Sequence, residues 1–134
     1  MWTMIEIDTR KPVDVIDITA RVQEALQEGK TESGICLVYT LHTTAGLAVN
    51  EADSALIKDI SNLLDRVAPQ GAGYHHDRSD GNAHAHLRAT LLGNSVVIPV
   101  EQNKLILGTW QRILFFEFDG PRQRRIFVKA VPGV

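Results

Sequence analysis

The sequence predicts an α+β domain with helices against one face of a mixed sheet. Two observations carry this. The first half of the chain alternates strand-like runs with two amphipathic helical stripes. From Ser95 onward four strand-like segments follow one another. A doubly wound parallel fold would need helices between those last strands, and there is no room for them. With 134 residues, the chain is one domain's worth and enough for a core.

Trp2 to Thr9 alternates in part and reads as a half-buried strand. From Asp17 to Gln27, Ile18, Val22, Ala25 and Leu26 recur at helical spacing. Asp17 or Thr19 can cap that helix, and Gly29 follows its end. Ile35 to Leu41 is a continuous apolar and β-branched run, expected as a buried strand. Asn50 can cap the next helix, with Glu51 and Asp53 in its first turn, where the helix dipole favours acids. Ala52, Leu56, Ile60, Leu63, Leu64 and Val67 give it one apolar stripe, and Pro69 with the glycines at 71 and 73 ends it. Tyr74 to Ala83 is polar and aperiodic, hence a loop. A short helix is expected from Ala83 to Leu92, capped by Asn82 and ended by Gly93. Strands follow at Ser95 to Val100, Leu105 to Leu107 and Gln111 to Asp119. Asp119-Gly120-Pro121 turns the chain into a last strand, Arg125 to Val131. These late strands are expected to pair as antiparallel hairpins.

Composition narrows the function classes. Hydrophobic residues make up 44% and charged residues 22%, ordinary globular usage. No apolar run approaches the roughly 18 residues of a membrane span, and no signal peptide is visible. The single cysteine, Cys36, excludes an internal disulfide and fits a reducing, cytoplasmic setting. Lying within Ile35-Cys36-Leu37-Val38, it reads as a small core residue. A net charge of −2 gives no general attraction to nucleic acid, although Arg122, Arg124, Arg125 and Lys129 crowd the end of the chain.

The five histidines carry the functional signal. His42 stands at the end of a strand, His75 and His76 are adjacent in the loop, and His84 and His86 flank Ala85; residues 1–41 and 87–134 hold none. Adjacent residues in extended chain point to opposite sides, so one of His75 and His76 should face a common pocket. On a helix, His84 and His86 lie about 200° apart, so one points in and the other out. The inward set is then His42, one of the first pair and one of the second. Three imidazoles with an open fourth position are a recurrent catalytic arrangement for zinc, and Asp77, Asp80 and Glu51 are available to orient them.

Other residues have two readings each. Asn50 and Glu51 serve as helix cap and first-turn acid, or as catalytic groups. Gly108-Thr109-Trp110-Gln111 is a turn with a core aromatic, or a platform on which Trp110 stacks a flat ring while Thr109 and Gln111 bond its edge. The arginines at 122, 124 and 125 are a solvated turn, or a phosphate clamp.

Taken in order, Leu41-His42-Thr43-Thr44-Ala45 with Asn50-Glu51, Tyr74-His75-His76-Asp77, Asn82-Ala83-His84-Ala85-His86-Leu87, Leu92-Gly93-Asn94-Ser95, Pro99-Val100, Gly108-Thr109-Trp110-Gln111 and Asp119-Gly120-Pro121-Arg122 resemble the YjbQ-like family. Its members are often labelled secondary thiamine-phosphate synthase. The resemblance covers nearly the whole chain. It implies a half-barrel of mixed, mostly antiparallel sheet with two main helices packed outside, assembled as a homotrimer with sites at or near subunit boundaries. It implies His42, His76 and His86 as the inward, metal-holding histidines, with zinc expected before magnesium. Glu51, Asn50 and Asp77 are the expected catalytic groups. Thr43, Thr44, Asn82, Thr109, Trp110, Gln111 and Arg122 are the expected contacts to a phosphorylated small molecule. The implied reaction joins a pyrimidine methyl pyrophosphate to a thiazole phosphate and releases pyrophosphate. A zinc-dependent hydrolase and a non-catalytic metal- or ligand-binding trimer are the alternatives. No nucleic-acid or membrane partner is expected.

Overall fold

The structure, a computed structural model, describes residues 2–133. Strands β1 (Thr3–Asp8), β8 (Gln123–Pro132), β3 (Ser33–Thr40), β5 (Ser95–Glu101) and β6 (Lys104–Leu105) form one sheet in that spatial order. Strands β2 (Asp14–Asp17), β7 (Arg112–Glu117) and β4 (Ala45–Asn50) form a second. Every pairing is antiparallel. Together with helices α1 (Thr19–Gly29), α2 (Ser54–Val67) and α3 (Ala83–Leu92), they make an α+β half-barrel.

The main core lies between the sheets. Ile5, Ile7, Val38, Ile98, Ile126 and Val128 of the large sheet face Leu47, Ile113 and Phe115 of the small one, and Val22, Ala25 and Leu26 of α1 close the gap. The other face of the small sheet presents Leu114, Phe116 and Phe118 to Leu64 of α2 and to Ala85 and Ala89 of α3. Strand β7 is therefore buried on both faces, which explains its unbroken apolar run. Phe115 and Phe116 point opposite ways and each contributes about 1.5–3 kcal/mol of burial.

Several expectations shift. The late strands do not pair as successive hairpins: only β5 and β6 do, while β7 joins β2 and β4, and β8 joins β1 and β3. The reason is that β7 and β8 are the central strands of different sheets, each needing partners from the first half of the chain. Strands β2 and β4 fall in stretches given to no element, too short or too mixed in pattern to signal a strand. Asn50 is the last residue of β4, not a helix cap. The cap of α2 is Asp53, whose carboxylate accepts from the Leu56 N–H at 2.9 Å. The α2 stripe is only lightly covered: Leu64 is buried, but Leu63 and Val67 are 50% and 59% exposed. Helix α3 has the expected bounds, although Asn82 makes no side-chain cap bond. Asp77 takes that part by accepting from the Ala83 N–H at 2.9 Å.

Where the two sheets meet sits a charged pair with no solvent. Glu117 of β7 is fully buried and Arg124 of β8 is 4% exposed. Arg124 Nε donates to Glu117 Oε1 at 2.7 Å, and Nη2 donates to Oε2. Thr9 Oγ1 donates to Oε1 at 2.7 Å, the Asp119 N–H donates to Oε2 at 3.0 Å, and Arg124 Nη2 reaches Thr44 Oγ1 at 2.8 Å. The carboxylate is thus saturated, as a buried charge must be.

Gly46 fixes the second junction. A Cβ there would lie 2.9 Å from Leu92 Cδ2 and 3.0 Å from the Gly93 carbonyl. Its absence lets the end of α3 approach β4, where the Leu47 N–H donates to the Gly93 carbonyl at 3.0 Å. The Thr40 N–H donates to the Asn94 carbonyl at 2.9 Å. Helix α3 is thereby held against the turn that carries His42.

Burial drives the Glu117 pKa up, but the bonds from Arg124 and Thr9 outweigh it and leave the value below the ordinary one. A depressed carboxylate pKa stabilises the fold above the unfolded-state value, roughly pH 4, and that stability is lost as pH falls through the folded value. Glu117→Gln should cost about 3–5 kcal/mol at neutral pH, because it leaves Arg124 buried and unpaired. Denaturant titration should also find the wild-type chain losing more stability than the variant between pH 7 and pH 3. Equal acid sensitivity of the two would contradict this account.

Candidate functional site

Between the β3–β4 turn and α3 lies an open hollow of about 550 Å³ of mixed lining, with His42, Thr43, His86, Thr90 and Asn94 beside Ala45, Ala89 and Gly93, within the size range of small-molecule sites. His42 is half-buried, and its Nε2 accepts the Arg125 backbone N–H at 2.9 Å. Burial, then the guanidiniums of Arg124 and Arg125, hold its pKa below the usual value, against an opposing pull from Glu117. His86 packs edge to face with His76, ring centroids 4.8 Å apart. His76 belongs to a short 3-10 turn, His75–Arg78, and its Nε2 lies 3.7 Å from Asp80 Oδ2. The structure therefore strings His42, His86 and His76 along one side of α3.

His84 faces the other way. It is 8% exposed, with burial and then Arg88 lowering its pKa, and Nδ1 has no partner. It lines a separate hollow of about 700 Å³ with Asn82, Arg88, Asp119 and Arg122. There Asn82 Nδ2 and Arg122 Nη2 both donate to Asp119 Oδ2, at 3.0 and 2.9 Å. Arg88, 5% exposed, donates to Asp65 and to the Ala68 carbonyl, tying α3 to α2. The helical alternation of His84 and His86 thus separates two cavities. Asn82 and Arg122, expected in the histidine pocket, belong to the other one. Both His75 and His76 are exposed, and the His76 contact to His86 is what sets them apart.

The remaining expected residues spread further. Thr43 lines the histidine hollow, whereas Thr44 is buried and bonded to Arg124. Asp77 is engaged as the cap of α3. Asn50 and Glu51 lie at the far end of β4 from Ala45, five residue steps or roughly 17 Å away. Arg112, next to the Thr109–Gln111 turn, pairs with Asn50, so that turn shares the far end. Within it the Gly108 N–H donates to Gln111 Oε1 at 2.8 Å, and Trp110 is 71% exposed. One chain does not bring these residues to the histidines. Sequence reasoning missed Glu117, Arg88, Thr90 and Asn94. A carboxylate inside Phe115-Phe116-Glu117-Phe118 and a charged residue one turn after His84 were readable signals for the first two; Asn94 stands in the Leu92-Gly93-Asn94-Ser95 motif but was given no role, and Thr90 had no signal.

The residues fit a metal in part. Two imidazoles on one tetrahedral ion, with bonds of about 2.0–2.1 Å, hold their centroids about 5 Å apart, close to the His76–His86 separation. His42 does not complete the set, because its Nε2 lone pair is taken by Arg125. Among the described residues no three His, Cys, Asp or Glu side chains are grouped as metal ligands. No helix among them is long and apolar enough to cross a membrane.

Residues 3–133 match the family model described as UPF0047 protein YjbQ-like. A UPF0047 protein of Archaeoglobus fulgidus is 54% identical over 127 residues, covering 95% of this chain and 98% of that one. The UPF0047 protein YugU of Bacillus subtilis is 42% identical, covering 98% and 99%. Among solved structures, a hypothetical protein from Aeropyrum pernix superposes with a TM-score of 0.95 at 41% identity, covering 99% of both chains. The family model, the sequence relatives and the structural superposition agree along almost the full length: this chain belongs to the UPF0047 YjbQ-like family.

Proposed function

We propose that the chain is a transferase of thiamine-phosphate-synthase type, acting on phosphorylated small molecules in the hollow between the β3–β4 turn and α3. The carrying observation is that hollow itself, of small-ligand size and lined by imidazole, hydroxyl and amide groups. Beside His42 the charge of Arg124 is offset by Glu117, and Arg125 adds a further positive charge that an anion can meet. Thr43 and Asn94 can hold phosphoryl oxygens, and His86 can exchange a proton with a leaving group. The implied reaction joins a pyrimidine methyl pyrophosphate to a thiazole phosphate.

A second reading, a metal-dependent hydrolase, is favoured by the His76–His86 separation. A divalent ion, zinc before magnesium, would supply Lewis-acid activation there. His76 and His86 would hold it, and Asp80 would orient His76.

The homotrimer expected from the resemblance is supported by two features. The outer face of the large sheet leaves Trp2, Leu37, Tyr39, Leu41 and Phe127 around an apolar hollow of about 480 Å³, the kind of surface that association covers. Trp110, Asn50 and Glu51 lie too far from the histidines to act with them in one chain, and a neighbouring copy can supply them.

Both substrates together should yield pyrophosphate, and His86→Ala should cut the rate by about 100-fold; release no faster than in that variant would refute the synthase reading. Elemental analysis of untagged protein should find zinc in the wild type and none in His76→Ala or His86→Ala. A metal-free wild type after zinc addition would end the hydrolase reading. Sedimentation should give three times the chain mass of 14.8 kDa, and a monomer would remove the shared-site arrangement.

A further inference from the structure

His42 closes the ladder between β3 and β8. The last strand pair is Thr40 with Ile126. Beyond it, Thr40 Oγ1 donates to the Arg125 carbonyl at 3.3 Å, and the Arg125 N–H, with no β3 residue opposite, donates to His42 Nε2 at 2.9 Å. An N–H can be directed only at a lone pair, so Nε2 carries no proton and the neutral ring carries it on Nδ1. Nδ1 has no partner among the described residues and, unlike His84 Nδ1, is not sealed from solvent. His42 itself lines the hollow.

We propose that His42 serves this pocket as a tautomer-fixed Nδ1–H donor to an oxygen of a phosphoryl or pyrophosphoryl group, and is not a metal ligand. Ligation needs a free lone pair. The one on Nε2 is committed to Arg125, and the one on Nδ1 is committed to its proton. Freeing Nε2 would leave the Arg125 N–H without the partner that ends the ladder. Of the cations that act on His42, Arg124 and Arg122 are paired with Glu117 and Asp119, which leaves Arg125 to favour an anion over a divalent cation there. Thr43 and Asn94 add neutral donors around the same volume, while the Thr90 hydroxyl is donated to the His86 carbonyl at 2.8 Å. The histidines are thereby divided: His42 meets the anion, and His76 with His86 is left for a metal. This rests on the hollow being the ligand site.

The test has two arms on the full chain. Long-range proton–nitrogen correlation on protein labelled with nitrogen-15 histidine should place the His42 proton on Nδ1, with the resonance assigned by its loss in His42→Asn. A protonated Nε2 overturns the proposal. In calorimetry with inorganic pyrophosphate, His42→Phe should weaken binding on the order of 10- to 100-fold, the size of a lost hydrogen bond to a charged group. His42→Asn, whose amide can donate from near the Nδ1 position, should bind within about threefold of wild type. Zinc content should be unchanged in His42→Phe. Pyrophosphate binding that His42→Phe leaves intact overturns the proposal while the pocket stands, as does zinc lost in that variant. A wild type that binds no pyrophosphate removes the pocket reading, and the anion role of His42 with it.

Discussion

The buried pair of Glu117 and Arg124 is the constraint on which the arrangement hangs. A carboxylate with no solvent contact is tolerated only when every lone pair is met, and here the partners come from four places. Arg124 brings β8, Thr9 follows β1, the Asp119 amide continues β7, and Thr44 precedes β4 through Arg124. Satisfying one charge therefore aligns both sheets at one end. It also sets the height of β8, and so the position of the Arg125 amide that meets His42 one residue later. The pocket is built outward from this salt bridge, not from the histidines inward.

Much of the fold was legible because its signals are local. The bounds of α3 follow from a turn-rich approach and Gly93, and α1 from its four apolar positions, although it runs through Gly29 to a cap at Lys30 rather than stopping before the glycine. What was not legible depends on pairing between distant segments. Strand β4 reads as the tail of a motif or the start of a helix, since Ala45-Gly46-Leu47-Ala48-Val49 lacks alternation. It becomes a strand only because β7 offers it a ladder. The same non-locality hid the strand order, because sequence adjacency favours hairpins and this fold uses one.

The site shows the same division. Helical geometry put His84 and His86 on different sides, which is a statement about 3.6 residues per turn, but the more buried of the two is His84, not the His86 that the resemblance implied. It could not tell that the inward-facing His84 would line its own cavity with Arg88 and Asp119. Nor could the pattern distinguish an imidazole that faces a ligand from one that also ends a sheet. His42, His76 and His84 are chemically identical and differ in what lies beside the ring: a backbone amide at His42 Nε2, the His86 ring and Asp80 beside His76, and no partner among the described residues at His84 Nδ1. That difference is set by tertiary neighbours and is invisible in spacing.

The strand that lies between β1 and β3 is residues 123–132, the last element in the chain. During synthesis the amino-terminal strand emerges early and has no ladder to join. Until residues 123–132 have emerged, β1 has no partner in the large sheet and Glu117 lacks Arg124, although β3, β5 and β6 can already pair. A nascent chain halted before Gln123 would expose both halves of an unfinished core to chaperones.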